Sequence, residues 1–412
     1  MATSIKQPDG KKPSTEKFHK RRETIVRAAV EVMNRRGVRG MTLADVARRL
    51  DLVAPAVMYY FKSKEELAAT VYYRSIERYE QLIATAQGAK TARAALETFV
   101  RAYFQFAAAV ATGAAEPIAG FNDIRALQHP ELAEAFTGMF RNLRSLLQKP
   151  GLPANLERVD YNARTLLLLS QLTWSVVWTP RYHVDDYARL ADHTLDILEN
   201  GILPSGKPWR ARALQVAPIG DDKNSAARET FLQAATLLVN ERGYLGASVQ
   251  KISEHLNLTK GAFYHHLENK DDLIVACFQR TLDILQRTLK DAGEVAKNGA
   301  EHLIAASTAL VEYQLSGKAP LLRTSALTSV PEEIGTRLLT EFDRNSGRIS
   351  LVLTDGIADG SLRAVDTNIG AQMITAMINA AAEVHAWAPG ITQQNVAKIH
   401  VRPMFEGLLR SG

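Results

Sequence analysis

The stretch RRETIVRAAVEVMNRRGVRGMTLADVARRL, residues 21–50, returns in altered form as ARETFLQAATLLVNERGYLGASVQKISEHL, residues 227–256, at a constant offset of 206 and without a gap. Between positions 22 and 67, 14 of 46 paired residues are identical, among them Arg22, Asn34, Gly37, Gly40, Leu52, Ala56 and Lys64. Composition alone would give roughly three, so the chain contains one unit twice. A weaker echo pairs Trp178-Thr179-Pro180 with Trp387-Ala388-Pro389, each after a long apolar stretch and before a last helix. Between the copies, residues 203–225 are rich in Pro, Gly and charge and read as a linker.

Within the unit the apolar period is helical. Ile25, Ala29, Val32 and Met33 share one face, as do Phe231, Ala235, Leu238 and Val239. Gly37 and Gly243 stop this helix, because glycine takes the left-handed conformation without steric cost. A short second helix follows, with Thr42 and Asp45 as a capping box and Leu43, Val46, Ala47 and Leu50 as its apolar stripe; Ser248, Val249, Ile252 and Leu256 repeat the design. A three-residue turn then leads into a helix expected over residues 54–60 or 260–266. Its only inward side chains are Val57 and Phe61, or Phe263 and Leu267. So short a helix is unstable alone, so its other face, with Tyr59, Tyr60, Tyr264, His265 and His266, is kept free for a purpose. Two helices joined by a tight turn, the second short and polar outside, make a helix-turn-helix. Ser63 and Asn269 cap a long helix after it.

The run through Gly37, Thr42, Leu52, Ala56, Tyr60, Phe61, Lys64 and Leu67, and above all Lys260-Gly261-Ala262-Phe263-Tyr264-His265-His266, resembles the DNA-binding domain of the tetracycline-repressor (TetR) family. The resemblance covers about 46 residues per copy. It implies an all-α fold in which each unit joins a three-helix helix-turn-helix domain to a helical-bundle regulatory domain. Expected boundaries are a basic arm at 1–21, DNA-binding domains at 22–90 and 226–290, and regulatory domains at 91–202 and 291–412. Members of the family usually carry one copy and dimerise, so this chain resembles a covalent tandem.

Charge supports the same reading without the family. Residues 1–74 hold 16 Lys+Arg against 8 Asp+Glu, a net +8, so with +6 overall the other 338 residues sum to −2. The arm that ends in Lys20, Arg21 and Arg22 suits phosphates or the minor groove. Residues 207–280, with 10 Lys+Arg and 8 acids, reach only +2. The resemblance places base-reading and phosphate-clamping positions at Ala54, Pro55, Met58, Tyr59, Tyr60 and Lys64, and at Thr259, Lys260, Gly261, Tyr264, His265, His266 and Lys270. Thr42 and Ser248 suit phosphate through a hydroxyl or backbone amide at a helix start. The first copy departs from the family pattern: Met58 stands where a tyrosine is expected, and Val53 offers no side-chain cap where Thr259 does. The first copy is therefore expected to bind chiefly through charge and shape and the second through polar base readout; one copy serving only as a scaffold is the alternative.

Residues 91–205 contain twelve aromatics and 291–412 only four. Pockets for small molecules are lined by aromatic and apolar groups, so a small hydrophobic effector is expected in the first regulatory segment, against Phe99, Tyr103, Phe106, Phe121, Phe140, Trp174 and Trp178. By resemblance, the last two helices of each half, at about 157–180, 184–201, 366–388 and 391–410, form a four-helix interface. The covalent link favours pairing them within one chain as a pseudo-dimer, with further self-association left open. Two different recognition helices then call for an asymmetric double-stranded operator.

Other readings are excluded or unsupported. At 46% apolar and 23% charged residues the chain is globular in composition. A single cysteine, Cys277, precludes an intrachain disulfide or zinc cluster and suggests a reducing compartment. The longest uncharged stretches, 165–180 and 367–382, are too short to span a bilayer, so a soluble, cytoplasmic protein without a membrane partner is expected. No nucleotide loop, nucleophile elbow or metal-ligand spacing is present, and neither a cofactor nor catalysis is expected. The function expected is that of a DNA-binding transcriptional regulator, a repressor released by a small molecule; the alternative is a ligand-independent or architectural DNA-binding protein.

Overall fold

The computed structural model of the chain describes residues 15–211, 213–216, 223–246, 269–317, 320–323, 330 and 332–410. Regular structure among them is helical throughout. The first unit begins with α1 (Thr15–Gly40), α2 (Leu43–Arg48), α3 (Ala54–Met58) and α4 (Lys64–Gln87). Gly37 sits at φ 64° inside α1, so the helix breaks where glycine was expected to stop it and resumes for one more turn. The predicted inward faces are buried: Ile25, Ala29, Val32 and Met33 in α1, Val57 and Phe61 across α3 and the turn after it. The rest of the first half is α5 (Ala92–Ala111), a 3-10 turn at Phe121–Leu127, α6 (Pro130–Leu147), α7 (Arg158–Trp178) and α8 (Tyr187–Asn200).

The second half follows the same order where it is described. It contains α9 (Lys223–Gly246), α10 (Lys270–Val295), α11 (Gly299–Leu315), α12 (Glu332–Ala358), α13 (Thr367–Ala380), the short α14 (Val384–Trp387) and α15 (Arg402–Glu406). Phe231, Ala235, Leu238 and Val239 of α9 are buried as expected, in a small core with Leu273, Cys277, Phe278 and Phe342. Burial pushes the Cys277 thiol up to about 11, so it is a packing group and a poor nucleophile. The helix-turn-helix of this copy lies outside the described residues. Described parts of the segment between the copies are irregular, but they are laid on the second half: Lys207 Nζ donates to Gly360 O at 2.8 Å and Trp209 N to Glu406 Oε1 at 3.1 Å.

The halves meet through their last helices. α7 packs on α13 and on the π-helical turn Ala397–Val401, and α8 packs on α13 and α15. Polar contacts cross this seam from α7: buried Arg164 donates to Leu408 O (2.9 Å) and Arg410 O (3.2 Å), Gln171 to Met373 O (3.0 Å), and Trp174 to Gln372 Oε1 (3.0 Å). At its end the chain crosses itself in a two-fold manner. Gly201 (φ 66°) and Gly407 (φ 103°), 206 apart, each admit the opposite backbone so closely that a Cβ on Gly201 would overlap Phe405 O and one on Gly407 would overlap Glu199 O. Ile202 N donates to Phe405 O at 2.8 Å and Leu408 N to Leu198 O at 2.7 Å.

One expected element differs. The last helix, expected over 391–410, is instead a π-helical turn and five α-helical residues. Pro403 stands where the first half has Ile197; it lacks an N–H and its ring crowds the preceding turn, which widens just before it.

Candidate nucleic-acid interface

The first helix-turn-helix is assembled by local chemistry. Thr42 caps α2: its hydroxyl accepts from Asp45 N at 3.1 Å and donates to Asp45 Oδ2 at 2.7 Å. Burial works to raise the Asp45 carboxyl, yet the Thr42 hydroxyl and the guanidinium groups of Arg36 and Arg48 outweigh it and hold it below the usual range. The cap at Thr42 is therefore formed as expected, but Asp45 closes it on the hydroxyl and not on the backbone amide as a full capping box would, and this commits the hydroxyl hydrogen and leaves backbone amides as the group for a phosphate there. Asp51 takes the turn at φ 53°, a conformation that Asp tolerates better than most residues. Ser63 caps α4, accepting from Glu66 N at 3.1 Å, while Glu66 accepts from Lys62 N at 2.8 Å. In the second copy Asn269 accepts from Asp272 N at 2.9 Å, so both fourth helices start in the expected way.

α3 is five residues long, shorter than the seven expected, with Pro55 in its first turn. Its outer side faces solvent: Val53 is 69% exposed, Met58 52% and Tyr59 63%, and Pro55 is exposed beside them. Large apolar and aromatic side chains left in solvent on a helix too short to be stable alone are fitted to meet base edges and thymine methyl groups. Ala54 is half-buried.

Three of the expected contacts are placed differently. Tyr60 is half-buried because Phe18, from the start of α1, lies against it with ring centres 4.8 Å apart, and Tyr59 closes the cluster at 5.1 Å from Tyr60. Arg22 is turned inward, its guanidinium 4.6 Å from the centre of the Phe61 ring, and so braces α1 on α3; Arg21 is exposed. Lys64 is half-buried and its ammonium donates to Arg39 O at 3.4 Å, next to the start of α2. Phe18 was missed in the sequence because a single aromatic in a basic arm has no periodicity; its spacing of four from Arg22 was the available signal. In the second copy Lys270 is half-buried at the start of α10. Ser248, Thr259, Lys260, Gly261, Tyr264, His265 and His266 lie outside the described residues.

Each DNA-binding unit is tied to the rest of its half in the same way. Asn34 of α1 grips the segment before the 3-10 turn at both ends, donating to Ile118 O (2.9 Å) and accepting from Gly120 N (3.1 Å), while Ser75 Oγ accepts from Ala119 N (3.0 Å). Asn240 of α9 donates to Leu321 O (2.9 Å) and accepts from Arg323 N (2.9 Å), while Thr281 Oγ1 accepts from Leu322 N (2.9 Å). Asn34 and Asn240, like Ser75 and Thr281, are 206 apart, so the clamp is part of the repeat.

Between the halves lies a cavity of about 1180 Å³. Of the aromatics expected to line an effector site, it receives Phe121 and Trp174, joined by Phe136 and by Trp387 from the second half. The others pack elsewhere. Phe99, Tyr103 and Trp178 are buried in the core, Tyr103 donating to Leu172 O at 2.6 Å and Trp178 lying 6.3 Å from Phe104 between ring centres. Phe106 is half-buried under the Arg78 guanidinium at 5.1 Å, and Phe140 lines a smaller adjoining cavity of about 310 Å³. The large cavity is thus shared by both halves rather than enclosed by the aromatic-rich first segment. Trp387 occupies this seam because it leaves its own half, lying 5.0 Å from Phe136 and 4.6 Å from Phe140 between ring centres, whereas Trp178, its counterpart in the repeat, stays inside.

Comparison with known proteins matches the family model for bacterial regulatory proteins of the tetR family twice, at residues 25–71 and 231–277. The Tn10 TetC protein of Escherichia coli is 24% identical over 143 residues, 34% of this chain and 71% of that protein. The HTH-type transcriptional repressor KstR2 of Rhodococcus jostii is 25% identical over 201 residues, 46% of this chain and 96% of that protein. The crystal structure of PfmR, a TetR family transcriptional regulator from Thermus thermophilus, is 24% identical with a TM-score of 0.37, covering 43% of this chain and 98% of that one. A whole relative thus corresponds to about half of this chain, and the repeat accounts for the other half. With the helix-turn-helix formed as described and the family model matched in both copies, the chain carries the N-terminal domain of the tetR family of bacterial regulatory proteins twice.

Proposed function

We propose that this protein is a DNA-binding transcriptional repressor in which one chain presents both DNA-binding units to one operator, and that a small hydrophobic molecule releases it. The observation that carries the reading is the outer face of α3, where Val53, Met58 and Tyr59 stand 52–69% exposed around a helix anchored by the buried Val57 and Phe61. That face belongs to residues 1–74, which carry the Lys and Arg excess. Arg21, Arg48, Arg49 and Lys62 are exposed, and Lys64 lies near the start of α2, an arrangement suited to phosphates on either side of a groove. Support for pairing within the chain comes from the seam of α7 and α8 with α13 and α15, where a family dimer is expected to join. No helix among the described residues is long and apolar enough to cross a membrane, which suits work in the cytoplasm.

The test is selection of bound duplexes from random-sequence DNA with the full chain, followed by anisotropy titrations on the selected site. Tyr59→Ala is expected to cost about 1–3 kcal/mol on that site and to flatten its sequence preference. Lys64→Ala is expected to weaken all duplexes alike and reduce the log-log salt slope by about 0.9. No enriched sequence, with affinity unchanged in both variants, would rule the reading out. A sequence preference that survives Tyr59→Ala intact would favour the reading in which the second copy alone reads bases.

A further inference from the structure

The cavity between the halves touches both of the clamped segments. Gly120 and Phe121 line it from the first half; Leu321, Leu322 and Arg323 line it from the second. Asn34 holds Gly120, Asn240 holds Leu321 and Arg323, and Thr281 holds Leu322, so any molecule filling the cavity meets attachment points of both DNA-binding units at once. The lining is also chemically divided. Phe121, Phe136, Trp174 and Trp387 form an apolar region, and beside it Arg125 and Arg323 share one carboxylate: Glu383 lies 2.8 Å from Arg323 and 3.8 Å from Arg125. Two guanidinium groups against one acid leave a positive charge next to an apolar surface. Arg323 adds an unmet demand, because its Nε is buried without a hydrogen-bond partner, as is Nδ2 of Asn379, another lining residue. Buried donors without acceptors are costly, and an anionic oxygen answers both the charge and the donors.

We propose that this cavity binds one amphipathic anion per chain, its hydrocarbon body against the four aromatics and its charge toward Arg125 and Arg323, and that this single molecule governs both DNA-binding units through the two asparagine clamps. A volume of about 1180 Å³ exceeds the roughly 300–1,000 Å³ of ordinary small-molecule pockets, which suits a bulky body. Arg125 stands on the 3-10 turn directly after the first clamped segment, and Arg323 ends the second. Drawing both guanidinium groups to one charge therefore pulls on both segments. The binding stands on the cavity alone; the control of DNA rests on the regulator reading above.

The experiment uses the full chain and two fluorescent probes of similar aromatic body, anionic 1-anilinonaphthalene-8-sulfonate and neutral N-phenyl-1-naphthylamine. The anionic probe is expected to bind at one equivalent per chain with energy transfer from tryptophan, and Arg323→Gln to weaken it about tenfold while leaving the neutral probe within about twofold. Arg125→Gln, on a more exposed residue, gives the same selective loss in a variant whose fold is less at stake. Two equivalents per chain, or equal affinity for the anionic probe in both arginine variants and the unaltered chain, overturns the site. Asn34→Ala with Asn240→Ala is expected to keep probe affinity but abolish the fall in DNA affinity that the probe causes in the unaltered chain. If the probe still displaces DNA from the double variant, the coupling is wrong. A chain that binds the probe as described but binds no duplex overturns the regulator reading and its coupling, and the site stands.

Discussion

Glu199 ends α8 at the place where the two halves cross, nearly buried beside Arg93. Burial raises its carboxyl to about 7; Arg93 opposes this, and the nearby acids Glu97 and Asp196 add to it. A carboxyl raised in the folded state favours the protonated form there. Its contribution to stability is therefore fully present below the ordinary carboxylate pKa and is lost as pH rises through about 7. The unaltered chain is expected to lose roughly 1–2 kcal/mol between pH 5 and pH 8 from this group after allowance for solvent screening, and Glu199→Gln to lose correspondingly less. Thermal melts of both across that range check it; parallel pH curves would refute the assignment. At this scale the sequence was legible where a side chain acts on its own turn. The Thr42 cap, the Ser63 and Asn269 caps and the inward Val57 and Phe61 all follow from local spacing. Contacts made at a distance along the chain were not: Phe18 on Tyr60, Arg22 over Phe61 and the grip of Asn34 on residues 118–120 depend on how helices meet. Asn34 and Asn240 were visible as an identical pair, without a reason for the identity.

Among elements, the two crossing glycines carry the sharpest consequence. Gly201 and Gly407 both combine a positive φ with an opposing carbonyl where a Cβ would sit, so neither strain nor space tolerates a side chain. Gly201→Ala or Gly407→Ala is expected to cost roughly 2–4 kcal/mol. Gly206→Ala is the control: it shares a positive φ but has open space around it, and should cost less. Denaturant titrations of the three variants decide this, and equal losses for all would show that conformation alone, not the crossing, sets the cost. The first four helices of the first half, and the first and fourth of the second, were legible from apolar period and capping residues. The broken last helix was not, because its π-turn depends on how Pro403 is accommodated. α3 shows the opposite balance: its existence followed from the turn before it and the cap after it, while its length, five residues and not seven, did not.

In the whole molecule the repeat acts as an approximate two-fold axis. It relates Asn34 to Asn240, Ser75 to Thr281 and Gly201 to Gly407, and it fails at Trp387, which crosses to α6 while Trp178 stays in its own half. The glycine crossing and the asparagine clamps keep the symmetry; the charge does not, with +8 in residues 1–74 and +2 in residues 207–280. Under the proposed reading, an operator bound by one such chain has two unlike half-sites, and the more basic unit is expected to contribute the larger share of the salt dependence. Which residues line the cavity was hidden in the sequence for a related reason. Counting aromatics per segment assumes that each half closes on itself, whereas the cavity takes its walls from both. The claim that matters most is that one chain does the work of a dimer. It is tested most directly by the mass of the complex formed on a selected operator duplex, measured by analytical ultracentrifugation or mass photometry at chain concentrations near the dissociation constant. One chain per duplex, with an asymmetric footprint, is the result predicted; two chains bound symmetrically about a palindrome would contradict it.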